Sequence, residues 1–268
     1  MSFISSSAST TSNLTATTSS LAAASARLSA GKRLTQASDD VADLVIGSAL
    51  TSQTTDLRAQ LSNFAQGASL LQVADAGLGQ QADILDRQKA LATEASSGTL
   101  SDATRGALNQ EFQGLTQELD QISGSTNFNG VPLLDGSYNS TIGGSGSAGV
   151  QVTLGSSASS ALYGGQTLDI STAAGASAAS ATLDSAITSL ASNRANVGSI
   201  EAQFDANSAS LSSALQSQTA AASALTDTDI ASESTNYAAL SVQAQAEIST
   251  QAQTNKLSGS LLQLIQSI

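Results

Sequence analysis

Asp43-Leu-Val-Ile-Gly-Ser-Ala-Leu50-Thr-Ser-Gln-Thr-Thr-Asp-Leu57 opens a stretch, ending at Ser97, in which Leu50, Leu57, Phe64, Leu71, Leu78 and Leu85 recur every seventh residue. Leu61, Ala68 and Ala82 sit four residues on from three of them. An apolar heptad held this long without proline predicts a single helix, roughly 80 Å at 1.5 Å per residue, with its seam against partner helices. Such a helix cannot stand alone, so the rest of the chain has to supply its cover.

A matching pattern returns from Ser180, with Leu183, Leu190, Val197, Phe204, Leu211 and Leu225 in one phase, interrupted by Gln218 and widened by Ile187, Ile200 and Leu215. Between the two lies a shorter amphipathic segment, Leu108, Phe112, Leu115, Leu119 and Ile122, with Ser101 or Asp102 as its N-cap and Gly124 at its close. The short connection at Thr99 makes it antiparallel to the first long helix. Asn127 to Asp169 changes character: glycines cluster, and Val150 to Leu154 and Thr167 to Ile170 alternate as strands do, which predicts a small β-hairpin.

The two ends carry thinner seams. Leu14, Leu21 and Leu28 mark a nearly uncharged N-terminal helix; Gly31, Lys32 and Arg33 read as its C-terminus, and Ser38, Asp39 and Asp40 as the N-cap and acidic first turn of the next. At the other end Leu240, Ile248, Leu257, Leu261, Leu264 and Ile268 mark a last helix whose apolar face would be sticky in a free monomer. The fold class is therefore mainly α: an elongated antiparallel bundle of long heptad-patterned helices, a coiled-coil rod, with a small β-hairpin insertion and with the terminal helices paired. The expected divisions are an N-terminal helix over 1–42, rod helices over 43–130, the hairpin over 131–179, a rod helix over 180–230 and a C-terminal helix over 231–268.

Composition narrows the chemistry. The 268 residues include no His, Cys or Trp, one Pro, and 11% charged residues with a net charge of -12. Without His or Cys the usual general base, metal ligand and thiol nucleophile are gone, so no catalytic residue, metal or cofactor is assigned. Acidity without a basic patch excludes nucleic acid as a partner, and no apolar run is long enough for membrane insertion. No Lys or Arg precedes Arg27 and no apolar run accompanies the start, so a Sec-type leader is not expected.

Short pattern matches have plain explanations. The Gly144, Gly146 and Gly149 spacing of a dinucleotide loop is followed by a strand-like segment instead of a helix. Ser29 to Lys32 fits S-x-x-K but sits at a helix end. Asp227, Asp229 and Glu233 lack the glycine and offsets of a calcium loop and read as a helix cap.

Several blocks, in order, resemble one family. Arg27-Leu-Ser-Ala-Gly31-Lys-Arg-Leu-Thr-Gln-Ala-Ser-Asp39-Asp40-Val-Ala-Asp-Leu-Val-Ile46 is similar to the flagellin signature, as are Ser69 to Asp75, Ile84 to Arg87 and Leu91 to Ala95. Thr126-Asn127-Phe128-Asn129-Gly130-Val-Pro-Leu-Leu-Asp-Gly136 resembles the family's turn, and Arg194 to Gly198 onward its C-terminal domain. The resemblance implies a short flagellin without large outer domains: a homopolymer subunit of the extracellular bacterial flagellum, exported through the flagellar type III channel. It implies Leu14, Leu21, Leu28, Leu240, Ile248, Leu257, Leu261, Leu264 and Ile268 as inner-core packing between subunits. Partners it implies are the export apparatus with a secretion chaperone, the filament cap and hook-junction proteins, and a host Toll-like receptor facing Leu85, Arg87 and Glu111. Alternatives are a hook-filament junction protein or, in another class, an amphipathic coat protein of a lipid or polymer surface, which the strict sevens disfavour.

Overall fold

The computed structural model describes residues 2–36, 38–144 and 149–266. Its elements are α1 (Ser2–Ala30), α2 (Val41–Ala95), α3 (Asp102–Ser125), β1 (Asn127–Phe128), β2 (Val131–Pro132), β3 (Asn139–Ile142), β4 (Val150–Thr153), α4 (Ser159–Leu162), α5 (Ala173–Thr226) and α6 (Ile230–Gln266). The chain divides into two units, Asp56–Leu215 and the two terminal portions, Met1–Thr55 with Gln216–Ile268.

In the Asp56–Leu215 unit the heptad residues pack together from Phe64 onward, while Leu57 is half-buried and stands outside the cluster. Phe64, Leu71, Leu78 and Leu85 of α2, Phe112 and Leu119 of α3, and Leu183, Leu190, Val197 and Phe204 of α5 are all buried in one cluster, while Leu211 is partly buried against it. Removing each such side chain from water contributes about 1.5–3 kcal/mol. The rings of Phe64 and Phe204 meet at 5.3 Å, tilted by 59°. Gly67 admits this approach, because a Cβ there would lie 2.7 Å from the Phe204 ring and 2.9 Å from Ile142.

α3 begins at its Ser101 cap, whose hydroxyl oxygen accepts from the Thr104 amide at 3.2 Å. Arg105 closes the end of α2 from α3: its Nε donates to the Ala95 carbonyl and an Nη to the Ser97 carbonyl, both at 2.9 Å. The helix runs to Ser125, one residue past the expected stop at Gly124.

The strands form two separate antiparallel pairs, β1 with β2 and β3 with β4, the latter in register from Asn139↔Thr153 to Ile142↔Val150. Val150 and Val152 point inward and Gln151 and Thr153 outward, as the alternation requires. Thr167 to Ile170, expected as a strand, is a loop. Its Leu168 and Ile170 are buried, but the backbone is satisfied by α3 side chains: Gln113 Nε2 donates to the Leu168 carbonyl at 2.7 Å, and Asn109 Oδ1 accepts from the Ile170 amide at 3.1 Å. α5 starts seven residues before Ser180, its added turns packing through Ala176 and Ala179.

In the terminal unit α1 lies against α6, with Ala24, Thr17 and Ala244 buried. Polar side chains fill part of that contact: the Thr17 hydroxyl and Gln243 Nε2 each donate to Glu247 Oε1 at 3.0 Å, Thr10 bonds Gln251, and Arg27 faces Glu233 at 3.6 Å.

Candidate functional site

Three features of the sequence converge on the connector between α1 and α2. Gly31 takes φ +65°, ending α1 in the left-handed conformation that glycine adopts freely. The chain then runs beside the connector between α5 and α6: the Arg33 amide donates to the Thr226 carbonyl at 2.7 Å and the Thr228 amide to the Gly31 carbonyl at 3.1 Å. The Arg33 side chain donates to the Leu225 carbonyl at 2.9 Å and pairs with Asp43 at 2.5 Å.

The two signature aspartates have separate backbone tasks. Asp39 Oδ2 accepts from the Thr35 amide at 3.0 Å, the Gln36 amide at 2.9 Å and the Thr35 hydroxyl at 3.2 Å, and these amides, Thr35 first, hold its carboxyl below the usual carboxylate range. Asp40 Oδ1 accepts from the amides of Ala42 and Asp43 at 2.9 and 3.1 Å. The N-cap of α2 is therefore Asp40, and not Ser38, which lies in the preceding turn. Asp229 caps α6 in the same way, accepting from Ala231 and Ser232 at 2.9 and 3.2 Å.

The signature turn at 127–130 is explained by its dihedrals. Asn129 at φ +52° and Gly130 at φ +80° form the two-residue loop between β1 and β2, which asks for Asn-Gly. Asn127 Nδ2 donates back to the Ser125 carbonyl at 2.8 Å, and Phe128 is half-buried against the core.

The residues expected to pack between copies divide by exposure. Leu14, Leu21, Leu28 and Leu240 are half-buried within the chain, as are Leu50 and Leu57, which the heptad assigns to the rod seam and not between copies. Ile248 and Leu257 are 54% and 55% exposed, and Leu261 37%. The Leu264 side chain and Ile268 fall outside what is described. Val41, Val45 and Ile46 at the start of α2 and Ile230, Tyr237 and Val242 of α6 add further uncovered apolar side chains that the heptads did not single out.

Leu85 requires a correction. With 0% exposure it belongs to the packed seam and offers no surface to a receptor, while Arg87 and Glu111 are exposed and bonded to each other at 2.6 Å. Arg27, Arg33, Arg87, Lys89, Arg105 and Arg194, six of the nine cations, each face a carboxylate of the same chain.

Among the described residues no three of His, Cys, Asp and Glu gather as metal ligands, and no helix is long and apolar enough to cross a membrane. Gly144 and Gly149 lie between antiparallel β3 and β4, not at the strand-to-helix turn a dinucleotide needs. The clefts beside α2 are small and open; the one under β3, about 270 Å³, is lined by Gly67, Leu70, Phe128, Tyr138 and Ile142.

Comparison with known proteins agrees with this geometry. Residues 2–139 match the bacterial flagellin N-terminal helical region and residues 181–265 the bacterial flagellin C-terminal helical region. The chain is 31% identical over 255 residues to the flagellar filament 30.7 kDa core protein of Treponema maltophilum, covering 89% of this chain and 90% of that protein. Among solved structures, Bacillus cereus flagellin superposes with TM-score 0.51 at 32% identity, over 56% of this chain and 88% of that one. A structure assigned to a flagellar hook-associated protein of Vibrio parahaemolyticus shares the fold, with TM-score 0.60 at 12% identity, over 70% of this chain and 99% of that one. With both terminal helical regions matched and the signature residues found at the caps and turns they build, the chain belongs to the bacterial flagellin family.

Proposed function

We propose that this chain is a non-enzymatic structural subunit that polymerises with copies of itself into the flagellar filament. The observation that carries the reading is the terminal unit, where α6 leaves Ile248, Leu257 and Leu261 uncovered and α1 has no charged side chain before Arg27. Apolar side chains in this number stay in water only at a cost, and a charge-poor helix gives up little hydration when a neighbour covers it. Contacts between unlike faces that do not close a ring produce a helical polymer. In this reading the segments 1–42 and 231–268 face neighbouring copies.

The same reading places the protein outside the cell as part of the flagellum, delivered by the flagellar export apparatus with a secretion chaperone. Cap and hook-junction proteins meet the two ends of the polymer. Any contact with a host Toll-like receptor is left to the exposed Arg87 and Glu111 pair.

Electron microscopy of the purified chain after seeding with fragments is expected to show filaments. Hydrogen exchange is expected to find segments 1–40 and 231–268 weakly protected in the free subunit and strongly protected after assembly. Equal protection in both states, with no filaments, refutes the reading.

A further inference from the structure

Gln81 and Gln88 of α2 are wholly buried, one heptad apart, on a line whose flanking members at seven-residue steps are Ala74 and Ala95. A primary amide sealed among leucines is costly unless it is hydrogen-bonded. Each amide is bonded to a different height of α3. Gln81 Nε2 donates to the Leu119 carbonyl at 3.1 Å and to the Ser157 carbonyl at 3.2 Å. Gln88 Nε2 donates to the Phe112 carbonyl at 3.3 Å and the Thr116 hydroxyl at 2.9 Å, and its Oε1 accepts from the Tyr163 hydroxyl at 2.7 Å.

Arg105 adds a third polar contact between the same helices, through Nε to the Ala95 carbonyl. The pairs 81 with 119, 88 with 112 and 95 with 105 step by seven in opposite directions, so the two residue numbers of every pair add to the same total. That constancy is one unbroken antiparallel register, marked three times.

The apolar stripe alone does not define that register. Leu108, Phe112, Leu115, Leu119 and Ile122 alternate at spacings of four and three, so sliding α3 by one heptad again sets large apolar side chains against the α2 seam. The Ser159 amide and hydroxyl both donate to Asp120 of α3, so the Ser157 carbonyl and Tyr163 hydroxyl travel with that helix; a slid α3 takes them away from the two amides and sets Asn109 or Ser123 where Thr116 stands. Gln81 Oε1 already has no hydrogen-bond partner, a cost that an apolar side chain would not carry.

We infer that Gln81 and Gln88 specify the register of α3 and of the 157–163 segment on α2, trading stability for a single packing. Since β1 to β4 follow directly from the end of α3, the same two side chains fix where the strands lie along α2.

The absence of cysteine makes the test direct, because introduced pairs are the only thiols. In the full chain, R87C with E111C marks the observed register, since those side chains meet at 2.6 Å. R87C with T104C, and R87C with E118C, mark one-heptad slides in either direction. A short bis-maleimide should cross-link the first pair and leave the other two at background. When Gln81→Leu and Gln88→Leu are added, helicity and melting temperature should hold or rise, and at least one slid pair should cross-link about tenfold above background. Tyr163→Phe, which deletes one hydroxyl and little volume, should raise the slid product by a smaller factor. Cross-linking confined to the observed register in both backgrounds overturns the proposal. So does unfolding of the double leucine variant, which would make the amides a requirement of stability itself.

Discussion

Arg194 of α5 forks onto Asp75 of α2, Nε to Oδ1 at 2.9 Å and Nη to Oδ2 at 3.2 Å. Both side chains are close to half exposed, 44% and 41%, so water and salt weaken the pair. Arg194→Ala is expected to cost up to about 1 kcal/mol. Urea unfolding at low and at high salt checks this: the difference from wild type should shrink as salt is added.

Phe204 is a different case, because its ring is 1% exposed and packs on Phe64. Phe204→Ala removes transfer energy and leaves a cavity, an expected loss of about 3–5 kcal/mol. The urea midpoint should fall accordingly. A loss below that of Arg194→Ala would mean the seam is not the centre of the core.

Two glycines on long helices should respond in opposite directions. A Cβ at Gly67 meets the Phe204 ring at 2.7 Å, whereas nothing lies within 4 Å of one at Gly106 in α3. Gly67→Ala should therefore destabilise by about 1–3 kcal/mol through overpacking. Gly106→Ala should stabilise by about 0.5–1 kcal/mol through helix propensity. Thermal melts of the two variants decide both signs.

Asp39 ties stability to acid. Its carboxyl is held below its ordinary range by the Thr35 and Gln36 amides, so the stability it contributes is full above the unfolded carboxyl value of about 3.9 and is lost as pH falls through the lower folded value. Asp135 and Asp169 follow the same sign, held down chiefly by the amides of Ser137 and Ser171. The difference in urea midpoint between wild type and Asp39→Asn should be present at neutral pH and close progressively below about pH 4.

The long helices were legible because burying one stripe over many turns forces a seven-residue repeat, and Leu71, Leu78 and Leu190 had no other reason to be so spaced. The first turns of α5 escaped notice because alanines bury there and leave no leucine to mark the phase. Thr167 to Ile170 misled for a related reason: alternation reports which side chains face inward, but not whether a neighbouring strand or the side chains of Gln113 and Asn109 satisfy the backbone. Ser38, Asp39 and Asp40 are all cap formers in succession, so the sequence does not single out one of them; the Ala42 and Asp43 amides, which donate to Asp40 Oδ1, do. Gln81 and Gln88 do not stand out in the pattern, because a polar residue on an apolar line looks like a gap in the stripe. In the terminal unit the sequence located an apolar face, but exposure alone separated half-buried Leu240 from uncovered Leu257.

Most of this chain's positive charges are spent inward, neutralising their own carboxylates, and the acids outnumber them by twenty-one to nine. Copies laid side by side therefore crowd like charge upon like, and the three cations outside those pairs, Lys32, Arg58 and Lys256, are too few to balance the excess of carboxylates. The remaining screening has to be borrowed from dissolved cations, which makes growth of the polymer responsive to the saltiness of the surrounding water.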